Sequence, residues 1–368
     1  MQLKLIGIAK FGLLVSLSIN MYSCLAQKSQ SVSLNIGNDA PDLKVSQWLK
    51  GKPISKFEKG KVYVLEFWAT WCKPCIAAMP HVSALARQYR NKIEVLGIDV
   101  YEKNTPLEKI KSFFNNMGDL MDYSVAADKN KFMETYWVKA CGNEGIPKTI
   151  IVNEDGKVAW IGHPKELEQV VPKIMDYTRD IKQASAKWNF DKYLANLDDS
   201  LNYELMIYRG DDFKQDYIGK PDAALLAINE IIRKEPGLKY APFIAYNTFS
   251  SLIKTNTQKA YEYGKVTMVT PTYEAPAFEA IIGAIDSYSD KLNLPAEIYE
   301  LGAEAYQMRI DQTPYPEIVN MPQYYHLMAW WCWLAKNKPK AIAAEQTAVS
   351  TLKSREIYSH STLNVYIA

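Results

Sequence analysis

The sequence predicts an α/β sandwich domain followed by an all-α domain of helical hairpins. Three observations predict it. Between residues 62 and 161, short runs of β-forming residues alternate with runs of helical periodicity, the pattern of a sheet covered by helices. A Cys-x-x-Cys pair, Cys72 and Cys75, lies where the first strong strand turns into the first helix. From about residue 185 strand signals vanish, and helical segments joined by short turns fill the rest. A chain of 368 residues is long for one core, and the expected division is 1–26 as an export signal, 27–182 as the α/β domain and 183–368 as the helical domain.

The first segment carries Lys4 and Lys10, then a mostly apolar run over 11–22, then Cys24-Leu25-Ala26 before Gln27. That order is the one a secretory signal has, with small-x-small cleavage after Ala26. The run is short for a bilayer span. Lipid attachment at Cys24 is the rival processing route, although Met21 and Tyr22 fit its pattern poorly. Both routes make the mature chain exported and periplasmic, the second with a membrane anchor. Outside the cytoplasm disulfides persist, so the five cysteines matter.

Residues 27–60 read as an extended leader with turns. Residues 62–68, bounded by Gly60, read as a buried central strand. After Cys72, the residues Ile76, Met79, Val82, Leu85 and Tyr89 have helical spacing, with Pro80 expected to kink the helix. A strand over 93–100, a helix over 107–114 begun near Thr105-Pro106, a short strand over 123–127 and a short helix over 131–138 follow. Residues 149–152 and 158–161 flank Asn153-Glu154-Asp155-Gly156, a hairpin signal. A last helix starts after Pro164 and runs through Leu167, Val170 and Ile174 toward Ile181. Beyond it, helices are expected over 222–234, 240–254, 258–269, 275–292, 295–310, 323–335 and 339–352. Ala341 and Ala348, seven apart, and Ala224, twelve before Pro236, faintly suit a tetratricopeptide-like repeat; its full signature is absent, and a plain helical bundle is the alternative.

Composition narrows the function classes. Hydrophobic content of 48% and charged content of 23% exclude a disordered or fibrous chain. Basic and acidic residues number 43 and 41, and without Lys4 and Lys10 they balance. There is no basic stripe, which argues against a nucleic-acid partner.

The chemistry concentrates at Phe67-Trp68-Ala69-Thr70-Trp71-Cys72-Lys73-Pro74-Cys75. A strand ending at Ala69 and turning straight into a helix puts Cys72 at the helix N-terminus. Unpaired N–H groups and the helix dipole there favour the thiolate, which is the nucleophile. Cys75 lies one turn inward, able to close a disulfide yet shielded from solvent. Pro74 stiffens the turn at an early helical position where a missing N–H costs little, and Lys73 adds a cation. A zinc half-site is the competing reading. It needs about four ligands, and no second Cys-x-x-Cys exists, while His81, His163, His326 and His360 show no ligand spacing. No metal and no cofactor beyond a redox-active Cys72–Cys75 disulfide is expected. His81 and His163 read as ordinary surface residues.

Trp71-Cys72-Lys73-Pro74-Cys75 after a buried strand resembles the thioredoxin superfamily. With Phe67-Trp68-Ala69-Thr70 and the leading Ala40-Pro41-Asp42, the chain resembles its exported TlpA/ResA-like branch over residues 36–180. Glu66, set between Val64-Leu65 and Phe67-Trp68, reads as buried. The resemblance implies that it lies behind Cys75 and, with a raised pKa, takes the proton from that thiol. In Gly145-Ile146-Pro147-Lys148-Thr149 the resemblance implies a cis-proline at Pro147 facing the cysteine pair. It leaves the backbone of Ile146 to pair with an extended substrate, beside Trp71, Lys73 and Pro74. The stretch 101–146 has the length of that branch's insertion and holds Cys141, read as a semi-buried thiol without a role, with an alternative disulfide as the other reading. Cys332, in Trp330-Trp331-Cys332-Trp333, reads as core.

The function expected is thiol–disulfide exchange with exported proteins, in the reducing direction, fed by a membrane electron donor. A second reading makes the helical domain a partner-binding module and the redox domain vestigial or regulatory. A third is a thiol peroxidase, against which stands Thr70-Trp71-Cys72, the wrong spacing for a peroxidatic Thr-x-x-Cys.

Overall fold

The computed structural model describes residues 33–103, 105–142, 145–210, 218–273, 276–313, 316 and 319–367. The expected export signal, its cleavage point and Cys24 lie outside the described residues.

The sheet is built outward from Val62–Trp68 (β2), which is buried at every position. Side chains alternate across a strand, so Val62, Val64 and Trp68 face one layer and Tyr63, Leu65 and Phe67 the other. Ile93–Asp99 (β3) pairs with β2 in parallel, and Lys148–Val152 (β5) pairs with it antiparallel on the other side. Ser124–Asp128 (β4) continues parallel beyond β3, and Val158–Gly162 (β6) closes the hairpin with β5. Val45–Lys50 (β1) lies antiparallel on β4 at the edge, giving the order β1-β4-β3-β2-β5-β6. A strand pair that takes its crossover through helices and ends in a hairpin is the thioredoxin-like α/β arrangement that the motifs imply.

Three helices cover the first layer: Lys73–Gln88 (α1), Leu107–Met117 (α2) and Leu167–Met175 (α3). They bring Ile76, Met79, Ile110, Val170 and Ile174 against Val64, Val95 and Ile151. The opposite layer is closed by Leu34, Ile36, Met133, Trp137 and Val138. Within it, Glu134–Val138 forms one π-helical turn inside the region expected to be a short helix.

The structure differs from the sequence reading in three places. The leader contains β1, whose residues are only half-buried or exposed and so carry no alternating pattern. The helix expected to run from Pro164 toward Ile181 breaks after Met175, where Tyr177 takes a left-handed φ of 55°. The Asp180 side chain then accepts from the Gln183 N–H and starts a new helix, Ile181–Leu205 (α4), which the sequence reading did not place.

Helix α4 belongs to both halves of the chain. Ile181, Ala184 and Trp188 pack on the sheet layer of Tyr63 and Leu65, whereas Leu194 and Leu205 join Ile228, Leu238 and Ile244. The helices that follow are Pro221–Lys234 (α5), Pro242–Thr255 (α6), Thr257–Thr267 (α7), Phe278–Tyr288 (α8), Ala296–Gln312 (α9), Met321–Leu334 (α10) and Lys338–Ile367 (α11). Their core is Phe249, Ile281, Ile285, Leu301, Tyr306 and Trp331, with Cys332 buried in it. No helix among the described residues is long and apolar enough to cross a membrane.

Candidate redox-active site

Strand β2 and helix α1 are joined by four residues, Ala69-Thr70-Trp71-Cys72, so the cysteine pair stands at the carboxyl end of the central strand. Cys72 is the N-cap of α1. Its backbone is extended (φ −83°, ψ 90°), and its Sγ accepts from the Cys75 N–H at 3.2 Å. Pro74 occupies the first turn, where the helix has no use for an amide N–H. Cys72 and Cys75 are joined by a disulfide, S–S 2.03 Å, with 5.2 Å between Cα atoms. Both are buried, whereas Lys73 and Pro74 are exposed and Trp71 is 57% exposed.

Glu66 is fully buried. The alternation along β2 puts it in the layer of Val64 and Trp68, the layer that α1 covers with Cys75 and Met79. Burial pushes its carboxyl up to about 8, against a smaller lowering by the hydrogen bond from Tyr123. That bond runs from the Tyr123 hydroxyl to Glu66 Oε2 at 3.4 Å, and Oε1 has no hydrogen-bond partner. Gly97, paired with Glu66 across β2–β3, makes room for this contact: a Cβ there would lie 2.7 Å from Tyr123 Cε2. A carboxyl so placed holds a proton near neutral pH and gives it up near the pH at which thiols do.

The Ile146–Pro147 bond is cis. Phe67 pairs with Lys148 in the antiparallel β2–β5 ladder, so the register carries Pro147 to the Trp68 end of β2, where the redox turn begins. A cleft of about 620 Å³ opens beside that turn, lined by Trp71, Tyr101, Lys103, Thr105, Gly145 and Ile146. The structure therefore brings Cys72, Cys75, Trp71, Ile146 and Pro147 to one end of the sheet, with Glu66 in the layer beneath.

Other candidates lie elsewhere. Cys141 is buried in the opposite sheet layer, its thiol donating to the Trp137 carbonyl at 3.0 Å, and burial pushes its pKa up to about 11. His163 accepts from the Lys165 N–H at the start of a 3-10 turn, and burial lowers it to about 4. His81 is on the exposed side of α1. Among the described residues no three His, Cys, Asp or Glu side chains gather as a metal site.

The sequence reading missed four residues around the site. Tyr123 and the pair Asp99 and Glu102 carry no motif, and Thr70 was read as part of the turn only. The one available signal is the acid at Asp99, which ends the run Val95-Leu96-Gly97-Ile98.

A model of the AhpC/TSA family matches residues 36–161. Protein FixW of Rhizobium leguminosarum is 31% identical over 149 residues, which are 39% of this chain and 67% of that protein. Thiol-disulfide oxidoreductase ResA of Bacillus thuringiensis (strain Al Hakam) is 37% identical over 128 residues, 34% of this chain and 68% of that protein. The solution structure of a thioredoxin-like protein in the oxidized form covers 39% of this chain and 97% of its own, at 20% identity and a TM-score of 0.33.

Proposed function

The chain belongs to the thioredoxin-like family that contains the ResA thiol–disulfide oxidoreductases, and on that premise we propose that it is an exported reductase of protein disulfides. The observation that carries the reading is the disulfide at the mouth of α1, with Cys75 sealed from solvent and a buried carboxyl in the layer behind it.

The reaction divides into two exchanges. In the reduced chain the Cys72 thiolate attacks a substrate disulfide, forming a mixed disulfide and expelling one substrate thiolate. Cys75 then gives its proton to the Glu66 carboxylate and attacks Cys72 Sγ. The intramolecular disulfide re-forms, and the second substrate thiolate leaves and takes up a proton. Two electrons pass from the dithiol to the substrate. Trp71 and Ile146 line the cleft, Lys73 and Pro74 are exposed beside Cys72, and an extended peptide adds to the backbone at Ile146. The ionised share of Glu66 grows as pH passes about 8, so the second exchange accelerates over that range.

The test is trapping. Cys75→Ala should accumulate protein partners as mixed disulfides on Cys72, released by thiols, and Cys72→Ser should accumulate none. A Cys72→Ser chain that still reduces insulin at the wild-type rate ends this reading, and consumption of peroxide in preference to disulfide substrates replaces it with a peroxidase. Export is tested by the mature N-terminus: Gln27, or a lipidated Cys24, is expected, and an uncleaved cytoplasmic chain overturns it.

A further inference from the structure

Strand β3 ends in a carboxylic acid beside the redox turn, and a second follows three residues later. Asp99 pairs with Trp68 at the end of the β2–β3 ladder and is buried. Tyr101 then turns the chain with φ 60°, a left-handed conformation that a bulky residue keeps only when its surroundings impose it. The turn brings Glu102 back onto the segment before Cys72. Glu102 Oε1 accepts from both the backbone N–H and the hydroxyl of Thr70, each at 2.7 Å. The Tyr101 carbonyl accepts the Trp71 indole N–H at 3.4 Å. Glu102 Oε2 and Asp99 Oδ1 are buried with no hydrogen-bond partner, so two carboxyl groups share one dry pocket. The residues on either side of Glu102, Tyr101 and Lys103, line the cleft together with Trp71 and Ile146.

Resting on the reading above, we propose that Glu102 is a positioning residue for disulfide exchange, clamping the cleft wall of Tyr101 and Lys103 onto the Thr70-Trp71 shoulder of the redox turn, with Asp99 buried beside it. Two anions so close and so buried would repel, and the pocket avoids this by keeping one acid neutral. Burial, then the Glu102 carboxylate and its hydrogen bond, then Asp128 on β4, push Asp99 up to about 9. A neutral Asp99 leaves Glu102 Oε1 to hold both Thr70 donors, the backbone N–H and the hydroxyl. The clamp moves no electrons and no substrate proton. It sets the spacing of the two cleft walls, so its loss falls on substrate capture.

The experiment compares the full-length wild type, Glu102→Ala and Glu102→Gln in steady-state reduction of a disulfide-bonded peptide, alongside exchange of the Thr70 amide hydrogen. Glu102→Ala should raise KM about tenfold with kcat within about threefold, and accelerate Thr70 exchange at least about tenfold. Glu102→Gln keeps a carbonyl acceptor and should bring both within about threefold of wild type. Wild-type KM should also climb as pH passes about 9, and Asp99→Asn, neutral at every pH, should flatten that climb. Unchanged KM and Thr70 exchange in Glu102→Ala, or Glu102→Gln as impaired as Glu102→Ala, overturns the clamp. Should Glu102→Ala fail to fold, Thr70→Val removes one of the two donors and carries the KM test, with about a threefold rise expected. A wild type that reduces no peptide fails the redox reading, and Thr70 exchange then decides the clamp alone.

Discussion

At the scale of single residues, the site is governed by dehydration of carboxyl groups. Glu66 binds its proton more tightly folded than unfolded, since burial raises it from the ordinary range to about 8. Its stabilising share is whole below the unfolded value and is lost as pH rises through about 8. Asp99 acts in the same direction up to about 9. Unfolding free energy, measured by urea titration, should therefore fall between pH 5 and 9, at up to ~1.4 kcal/mol per pH unit for each group while it titrates. Glu66→Gln should flatten its part of that slope; an equally steep variant would mean that Glu66 is hydrated. Tyr123→Phe deletes the one interaction that lowers Glu66, so the pH-dependent limb of Cys75 attack should move to higher pH in stopped-flow traces. Gly97→Ala is harsher. Its methyl would meet both Tyr123 and Trp68 Nε1, at 2.7 and 3.3 Å, and overpacking should cost ~1–3 kcal/mol in denaturant titration.

At the scale of elements, periodicity located most helices and strands, and local chemistry set their ends. Val62–Trp68 was legible because a strand buried on both faces is a continuous apolar run between turn residues. β1 was not, because an edge strand needs only backbone partners, and its residues Val45, Ser46, Gln47 and Trp48 follow no alternation. Helix α1 runs on through Pro80, with Val82 and Leu85 still buried in the layer against the sheet. The break between α3 and α4 was hidden because Ile174 and Ile181 are in phase at seven residues. It depends on Asp180, whose side chain caps the Gln183 N–H. Asp180→Ala should cost ~1 kcal/mol in thermal unfolding, and no loss would mean that tertiary packing alone starts the helix.

At the scale of the molecule, α4 couples the α/β layer to the helical region. Its first two turns supply Ala184 and Trp188 to one core, and Leu194 and Leu205 lie in the other. Asp198, buried on the same helix, accepts from the N–H groups of Phe243 and Ile244 at the start of α6 and from the Tyr273 hydroxyl. A chain ending at Lys182 should therefore melt well below one ending at Lys192, by ~2 kcal/mol of lost burial around Ala184 and Trp188. Equal melting temperatures would show that the α/β layer does not need this helix. Helix α4 was the least legible helix of the sequence, since a long polar helix with few buried apolar positions has no stripe to read.

The amino-acid sequence alone determined the order of the strands from Val62 to Gly162 and of most helices, the place of Cys72 and Cys75 at a helix mouth, and the class of chemistry that two neighbouring thiols perform. These are local properties, written in residue type and spacing. Only the tertiary structure decided that Tyr123 reaches Glu66, that Glu102 returns to Thr70, and that one helix serves two cores. Those contacts join residues 57, 32 and more positions apart, and no spacing rule ties them. They exist because burial leaves polar groups to find partners wherever the chain happens to pass.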